Sequence, residues 1–201
     1  MESTLAGVAV LPLAWYAFVM GITPGPNNLM LAASGMNFGL RRTLPHIAGV
    51  FVGFSALIVF AGAGIGTLYA QLPLAQDVLR VLGAGFLAWL AWQIARAEGS
   101  DGAAEDARPL RFVEAAAFQF MNPKGWTFAL TASAGFLREP GLAGVSVLTL
   151  TGMATTLLST TTWTLFGAGL ARWIGDATVR RRLNWFFAAA LLATIPLLLF
   201  D

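Results

Sequence analysis

Residues 3–40 read STLAGVAVLPLAWYAFVMGITPGPNNLMLAASGMNFGL, a run without one charged side chain. A secretory leader has a positive start and an apolar region of about 7–15 residues. Here the chain opens Met1-Glu2-Ser3-Thr4, with no basic residue, and the uncharged run is far longer. It is therefore expected to stay in the mature protein. A helix needs about 20 mostly apolar residues to cross the hydrocarbon core, and this run supplies them with Pro24 and Pro26 in its midst.

The rest of the chain has the same character. Of 201 residues, 57% are hydrophobic and 11% charged, and mean hydropathy is +0.72. Soluble domains carry about 25% charged residues. A chain of this size has no interior able to bury so much apolar surface, so lipid must solvate much of it. Net charge is only +2, with the basic residues spread over loops and no stripe for nucleic acid. The absence of cysteine and the single histidine exclude disulfides, thiolate metal sites, a cysteine nucleophile and a histidine cluster. No metal or cofactor is expected.

The charges divide the chain into six apolar runs, at about 5–35, 45–68, 77–96, 112–137, 142–171 and 183–200. Arg80 and Arg96 bound the third run and can snorkel to the interfaces. Residues 97–111 read AEGSDGAAEDARPLR, the one long hydrophilic linker. Shorter turns are expected at 71–76, 138–141 and 175–182. The linker divides a single transmembrane domain (1–201) into two three-helix halves, about 5–96 and 112–200. Three is odd, so halves of like fold would be inverted relative to one another, a common transporter plan with the site where the repeats meet. The expected fold is an all-α membrane protein with six transmembrane helices in two inverted repeats. Loops after the first, third and fifth runs hold Arg41, Arg42, Arg96, Arg108, Arg111, Arg172, Arg180, Arg181 and Arg182, against Arg80 and Arg138 opposite. Nine against two makes the first side cytoplasmic, and both termini then face outward.

Two interruptions carry the chemistry. Thr23-Pro24-Gly25-Pro26-Asn27-Asn28 lies inside the first run. Proline removes a backbone donor and clashes with the preceding turn. A break inside a membrane is tolerated only where protein or a water-filled cavity covers the freed groups. The bland reading is a packing kink, but two amides directly after Pro-Gly-Pro favour a site. Gln119, Asn122, Pro123 and Lys124 interrupt the fourth run in the same way. A lysine at the bilayer centre costs about 2.5–3.5 kcal/mol on insertion scales and normally faces the bundle interior or water. A purely structural or snorkelling lysine is the alternative. Paired interruptions in corresponding helices point to a transport site. Half-helix N-termini attract a carboxylate, and Lys124 adds a full charge. An amino acid or another small organic anion fits.

Other features are weaker. Thr149, Thr151, Thr155, Thr156, Ser159, Thr160, Thr161, Thr162 and Thr164 in the fifth run line a polar path or bond to their own preceding turn. Gly49 and Gly53 read as close packing. Trp89, Trp92, Trp173 and Trp185 read as interfacial belts. His46, beside Pro45, reads as an interface residue. Ser133 lacks the glycine two residues earlier that a hydrolase elbow needs, so the chain does not read as an enzyme. Its carboxylates lie at loops and helix ends, such as Asp77 and Glu114.

The motifs together resemble those of the lysine exporter / homoserine-threonine resistance family. Thr23-Pro24-Gly25-Pro26-Asn27 is similar to its first-helix signature. Gly39-Leu40-Arg41-Arg42 with His46-Ile47-Ala48-Gly49 and Gly53 looks like its second-helix pattern. Arg80, Gly83-Ala84 and Trp89-Leu90-Ala91-Trp92 resemble the third, and Asn122-Pro123-Lys124 the fourth. Asn27-Asn28 and Trp89-Leu90-Ala91-Trp92 look most like the cysteine/O-acetylserine exporter branch. Two departures stand out: Gly135-Phe136-Leu137-Arg138-Glu139-Pro140 replaces a usual Pro-Gln-Phe, and Ala188-Ala189-Ala190 replaces glycines in the sixth helix.

The resemblance implies amino-acid efflux across a bacterial inner membrane, driven by the proton-motive force. Thr23, Pro24, Gly25, Pro26, Asn27, Asn28, Gln119, Asn122, Pro123 and Lys124 are the expected transport-site residues. The expected partners are a small amino-acid-like solute and the lipid bilayer, with no nucleic acid and a homodimer left open. A passive small-solute channel or a non-transporting membrane scaffold is the alternative.

Overall fold

The structure is a computed structural model that describes residues 4–5, 7–97, 108–137 and 141–200. Much of the expected linker (98–107) and turn residues Arg138, Glu139 and Pro140 lie outside the described residues, as do Met1, Glu2, Ser3 and Asp201. Among the described residues the chain is helical apart from one small hairpin. Strands β1 (Thr4–Leu5) and β2 (Val8–Ala9) pair antiparallel, Thr4 opposite Ala9 and Leu5 opposite Val8. The helices are α1 (Val10–Ile22), α2 (Pro26–Gly62), α3 (Ile65–Ala70), α4 (Pro73–Arg96), α5 (Phe112–Met121), α6 (Pro123–Phe136), α7 (Leu142–Trp173), α8 (Ala177–Leu192) and α9 (Ile195–Phe200).

It is an all-α membrane protein. The stretches α2, α4, α7 and Ala177–Leu199 are long and apolar enough to cross a membrane, and α1 and α5 are shorter apolar helices. Leu11, Trp15, Leu74, Leu142 and Trp173 are each more than two-thirds exposed, an outer surface that only lipid solvates without penalty. Trp89, Trp92 and Trp185 are exposed as well, and Arg96 stacks over the Trp92 ring at 4.1 Å.

The expected loop between the first two runs is a single residue. Gly39 breaks α2 with φ 73° and ψ 170°, in the left-handed region that a side chain disfavours. The break is a reversal rather than a bend. Ser34 and Thr43 would be about 13.5 Å apart along a straight helix at about 1.5 Å per residue, yet their hydroxyls are hydrogen-bonded at 2.9 Å. Thr43 Oγ1 also donates to the Gly39 carbonyl at 2.8 Å. Residues 26–38 and 40–62 therefore form a helical hairpin, with Arg41 and Arg42 on helical turns at its corner. Two other expected boundaries move for local reasons. Pro73, free of an N–H, starts α4 earlier than the third run was drawn. Asp176 caps α8 by accepting from the backbone N–H groups of Thr178 (2.6 Å) and Val179 (3.3 Å), so Arg180, Arg181 and Arg182 belong to a helix rather than a turn. These two bonds hold the Asp176 carboxyl below its ordinary range.

The hairpin of α2 is the spine of the bundle. Its first half, 26–36, is almost wholly buried. Small residues let backbones meet there. A Cβ at Gly35 would strike the Thr164 carbonyl of α7, and one at Gly167 would strike the Ala32 carbonyl of α2. Gly49 and Gly53 act as their spacing suggests, against the Phe112 and Ala116 carbonyls of α5. At one end of the bundle Asn37 and Asn184 exchange amide bonds at 2.8 and 3.1 Å, and Asn184 donates to the Ala97 carbonyl. The ends of the first and third runs and the start of the sixth thus meet on one side.

Candidate functional site

Between α1 and α2, residues Thr23, Pro24 and Gly25 leave helical geometry, and Pro26 restarts it at the first helical position. Carbonyls at the end of α1 lose their helical partners, as at any helix terminus, and in an apolar medium each must find another. Side chains from three helices supply them. The Gly21 carbonyl accepts Asn28 Nδ2 (2.8 Å) and Ser159 Oγ (2.7 Å). The Ile22 carbonyl accepts Trp163 Nε1 at 3.1 Å. The Thr23 carbonyl accepts Asn28 Nδ2 (2.9 Å) and Lys124 Nζ (2.6 Å).

The second break is narrower. Asn122 ends α5 and begins α6 in extended geometry (φ −90°, ψ 108°), with Pro123 as the first residue of α6. The freed Phe120 carbonyl accepts Trp126 Nε1 at 2.8 Å. One turn earlier, Gln119 and Asn27 exchange amide bonds at 2.7 and 3.2 Å, and Gln119 Nε2 also reaches the Ala115 carbonyl at 2.8 Å. The two interruptions, about a hundred positions apart in sequence, are therefore joined at two points: Asn27 to Gln119 and Thr23 to Lys124.

A cavity opens where they meet. Among the expected residues, Gly25, Pro26, Asn27, Asn28, Asn122 and Lys124 line it, whereas Thr23, Pro24, Gln119 and Pro123 do not. Gln119 is fully buried with its amide engaged, so it rivets the two motifs together. Asn28 is similarly engaged with Gly21, Thr23 and Ser159. Asn122 differs: it is only 4% exposed and its side-chain oxygen has no hydrogen-bond partner, so it is an uncommitted acceptor on a cavity-lining residue. Gly25 is extended (φ −170°), a conformation open to any residue, so the need for glycine here is one of space. A Cβ would lie 3.1 Å from Lys124 Cδ and 3.3 Å from Nζ.

The remaining wall comes from the hydroxyl-rich fifth run, for which a polar path was one of two expectations and which the expected site residues do not include. Thr155, Thr156, Ser159 and Thr160 of α7 line the cavity with Phe54 and Phe128. Their spacing (i, i+1, i+4, i+5) marks one helical face and was the available signal. Thr155 and Thr160 still bond to their own preceding turns, while Ser159 reaches across to α1. His46 also departs from expectation. It is 1% exposed and lines a second cavity instead of an interface.

This arrangement suits a small zwitterion. It offers an ammonium on Lys124, a free acceptor on Asn122, and the opening turn of α2. There the Asn27 and Asn28 N–H groups have no carbonyl four residues back within the helix. Val50, Phe54 and Phe128 give it an apolar wall.

The family model described as LysE type translocator matches residues 18–199, so the chain belongs to that family, a transporter family and not an enzyme family. A cysteine/O-acetylserine efflux protein of Klebsiella pneumoniae is 34% identical over 181 residues, which is 88% of this chain and 89% of that one. A protein of the same name from Escherichia coli (strain K12) is 33% identical over 139 residues, covering 66% of this chain and 70% of the relative. No solved structure matches the chain.

Proposed function

We propose that this LysE-type translocator is a secondary active exporter of small amino acids or their derivatives across the bacterial inner membrane, driven by the proton-motive force. The observation that carries the proposal is the convergence of both helix interruptions and Lys124 on one cavity. Val50 and Phe54, which line it, lie midway along 40–62, so the solute sits near mid-membrane. The two relatives named for cysteine and O-acetylserine efflux make small polar amino acids of that kind the first solutes to test.

In this reading Lys124 receives the solute carboxylate, exchanging it for the Thr23 carbonyl, and Asn122 accepts from its ammonium. Asn27, Asn28 and Gln119 hold the two breaks in register. Pro24, Gly25, Pro26 and Pro123 create them. The single domain is built of two inverted three-helix repeats, about 5–96 and 112–200, joined by the linker at 97–111. The meeting of Asn37, Ala97 and Asn184 at one end supports the six-span topology, with that arginine-rich end cytoplasmic and both termini periplasmic.

Counterflow in proteoliposomes tests the reading. Purified protein, preloaded with each amino acid of a panel, should take up the same labelled solute transiently and saturably. Passive leakage without saturation would make it a channel, and no flux with any member of the panel would make it a scaffold.

A further inference from the structure

The second cavity lies toward the arginine-rich end of the α2 hairpin. Met30, Ser34, Asn37 and His46 of α2, Gln93 of α4 and Arg108 are among its lining residues. It sits in line with the first. Val50 lines the solute cavity, and His46, one turn earlier on the same helix, lines the second. The layer between is apolar: Met30 and Val50 are buried members of one cluster with Phe118.

His46 is 1% exposed and the only titratable side chain buried to this degree among the described residues. Neither ring nitrogen has a hydrogen-bond partner. A histidine kept for structure is ordinarily tied through at least one nitrogen, since an orphaned buried polar group costs about 1–3 kcal/mol. This ring instead lines a cavity with both nitrogens buried and unpaired. Its charged neighbours are engaged elsewhere. Arg108 lines the cavity, but its guanidinium is paired with Glu114 at 2.7 and 2.6 Å. On the other neighbouring elements, Arg42 stacks on Phe38 and Arg96 on Trp92. Arg111 follows Leu110, Arg172 lies in the last turn of α7, and Arg180, Arg181 and Arg182 sit in the first turns of α8.

We propose that His46 is the proton-exchanging residue of the transport cycle. The inference rests on the reading of the chain as a proton-driven exporter. A free ring nitrogen takes a proton from water when the path opens outward. It returns the same proton to water on the cytoplasmic side once the solute has left. The N–H bond is the only bond made and broken, and the ring alternates between imidazole and imidazolium.

The test uses the full chain in proteoliposomes, with radiolabelled L-cysteine, kept reduced, and O-acetyl-L-serine as probes. His46→Gln keeps an amide donor and acceptor but never titrates. Expected are counterflow within about twofold of the parent and a loss of at least tenfold in solute movement driven by a pH gradient. A merely structural histidine would lower both together. Undiminished gradient-driven transport by His46→Gln overturns the proposal. A parent that performs counterflow but ignores the pH gradient overturns it too, while leaving the exporter reading intact. A parent that does neither removes the exporter reading itself. The chain has one histidine, so NMR of ring-labelled parent, its affinity tag removed, reports His46 alone. Its signal should titrate, with a midpoint that moves when the probe saturates, as linkage requires. A ring held in one protonation state overturns the proposal even if the variant fails to fold.

Discussion

Replacing Lys124 with alanine separates a solute ligand from a structural cation. Lys124 Nζ donates to the Thr23 carbonyl at 2.6 Å, but that carbonyl also accepts Asn28 Nδ2 at 2.9 Å. Removing the ammonium therefore strands no backbone group, and Lys124→Ala should insert with abundance and thermal stability near the parent's. Solute binding should fall much further. A hydrogen bond to a charged group contributes about 1.5–3 kcal/mol, and each 1.4 kcal/mol or so is tenfold in affinity. The expected loss is then about 10- to 150-fold. Lys124→Arg should not restore it. The lysine stem passes the Gly25 backbone so closely that a Cβ there would sit 3.1 Å from Cδ, and a guanidinium is broader than an ammonium. The assay is the thermal shift of purified protein titrated with L-cysteine or O-acetyl-L-serine, alongside counterflow. An unchanged ligand-induced shift in Lys124→Ala, at normal abundance, would refute the reasoning.

Restoring helix continuity should trade function for stability. In Pro24→Ala/Pro26→Ala the carbonyls of Gly21, Ile22 and Thr23 can pair within one helix and release Ser159, Trp163 and Lys124, so thermal stability should hold or rise while ligand binding is lost; retained binding would mean the break is only a packing kink. Gly35→Ala forces a methyl against the Thr164 carbonyl and should cost about 1–3 kcal/mol or more as overpacking, whereas a methyl at Gly169 meets nothing and Gly169→Ala should gain about 0.5–1 kcal/mol; denaturation midpoints in detergent give both signs. On the proposed topology, with both termini periplasmic, an alkaline phosphatase reporter fused after the C-terminal residue should be active; a cytosol-active reporter there would reverse it.

What was legible in the sequence is what the chain carries locally. Lipid as solvent follows from the scarcity of charge, the spans from the length of apolar runs, and the two interruptions from proline, whose missing N–H acts wherever it stands. Lys124 declared itself because an ammonium is costly in any apolar run of that length. Other features depended on which groups meet across the fold. Gly39 is one of 22 glycines, and only its φ of 73° with the Ser34–Thr43 bond makes it the corner of a hairpin. Asn27, Asn28, Gln119 and Asn122 are alike on paper as amides in polar breaks. Packing commits the first three to partners and leaves the Asn122 oxygen free, because a side chain's hydrogen bonds go to whatever the tertiary fold brings within about 3 Å. His46 looked like a boundary residue, since Pro45 and two arginines flank it. The hairpin instead folds it inward onto a cavity shared with residues from 30–38, 90–97 and 108–110, a tertiary meeting that no local pattern encodes.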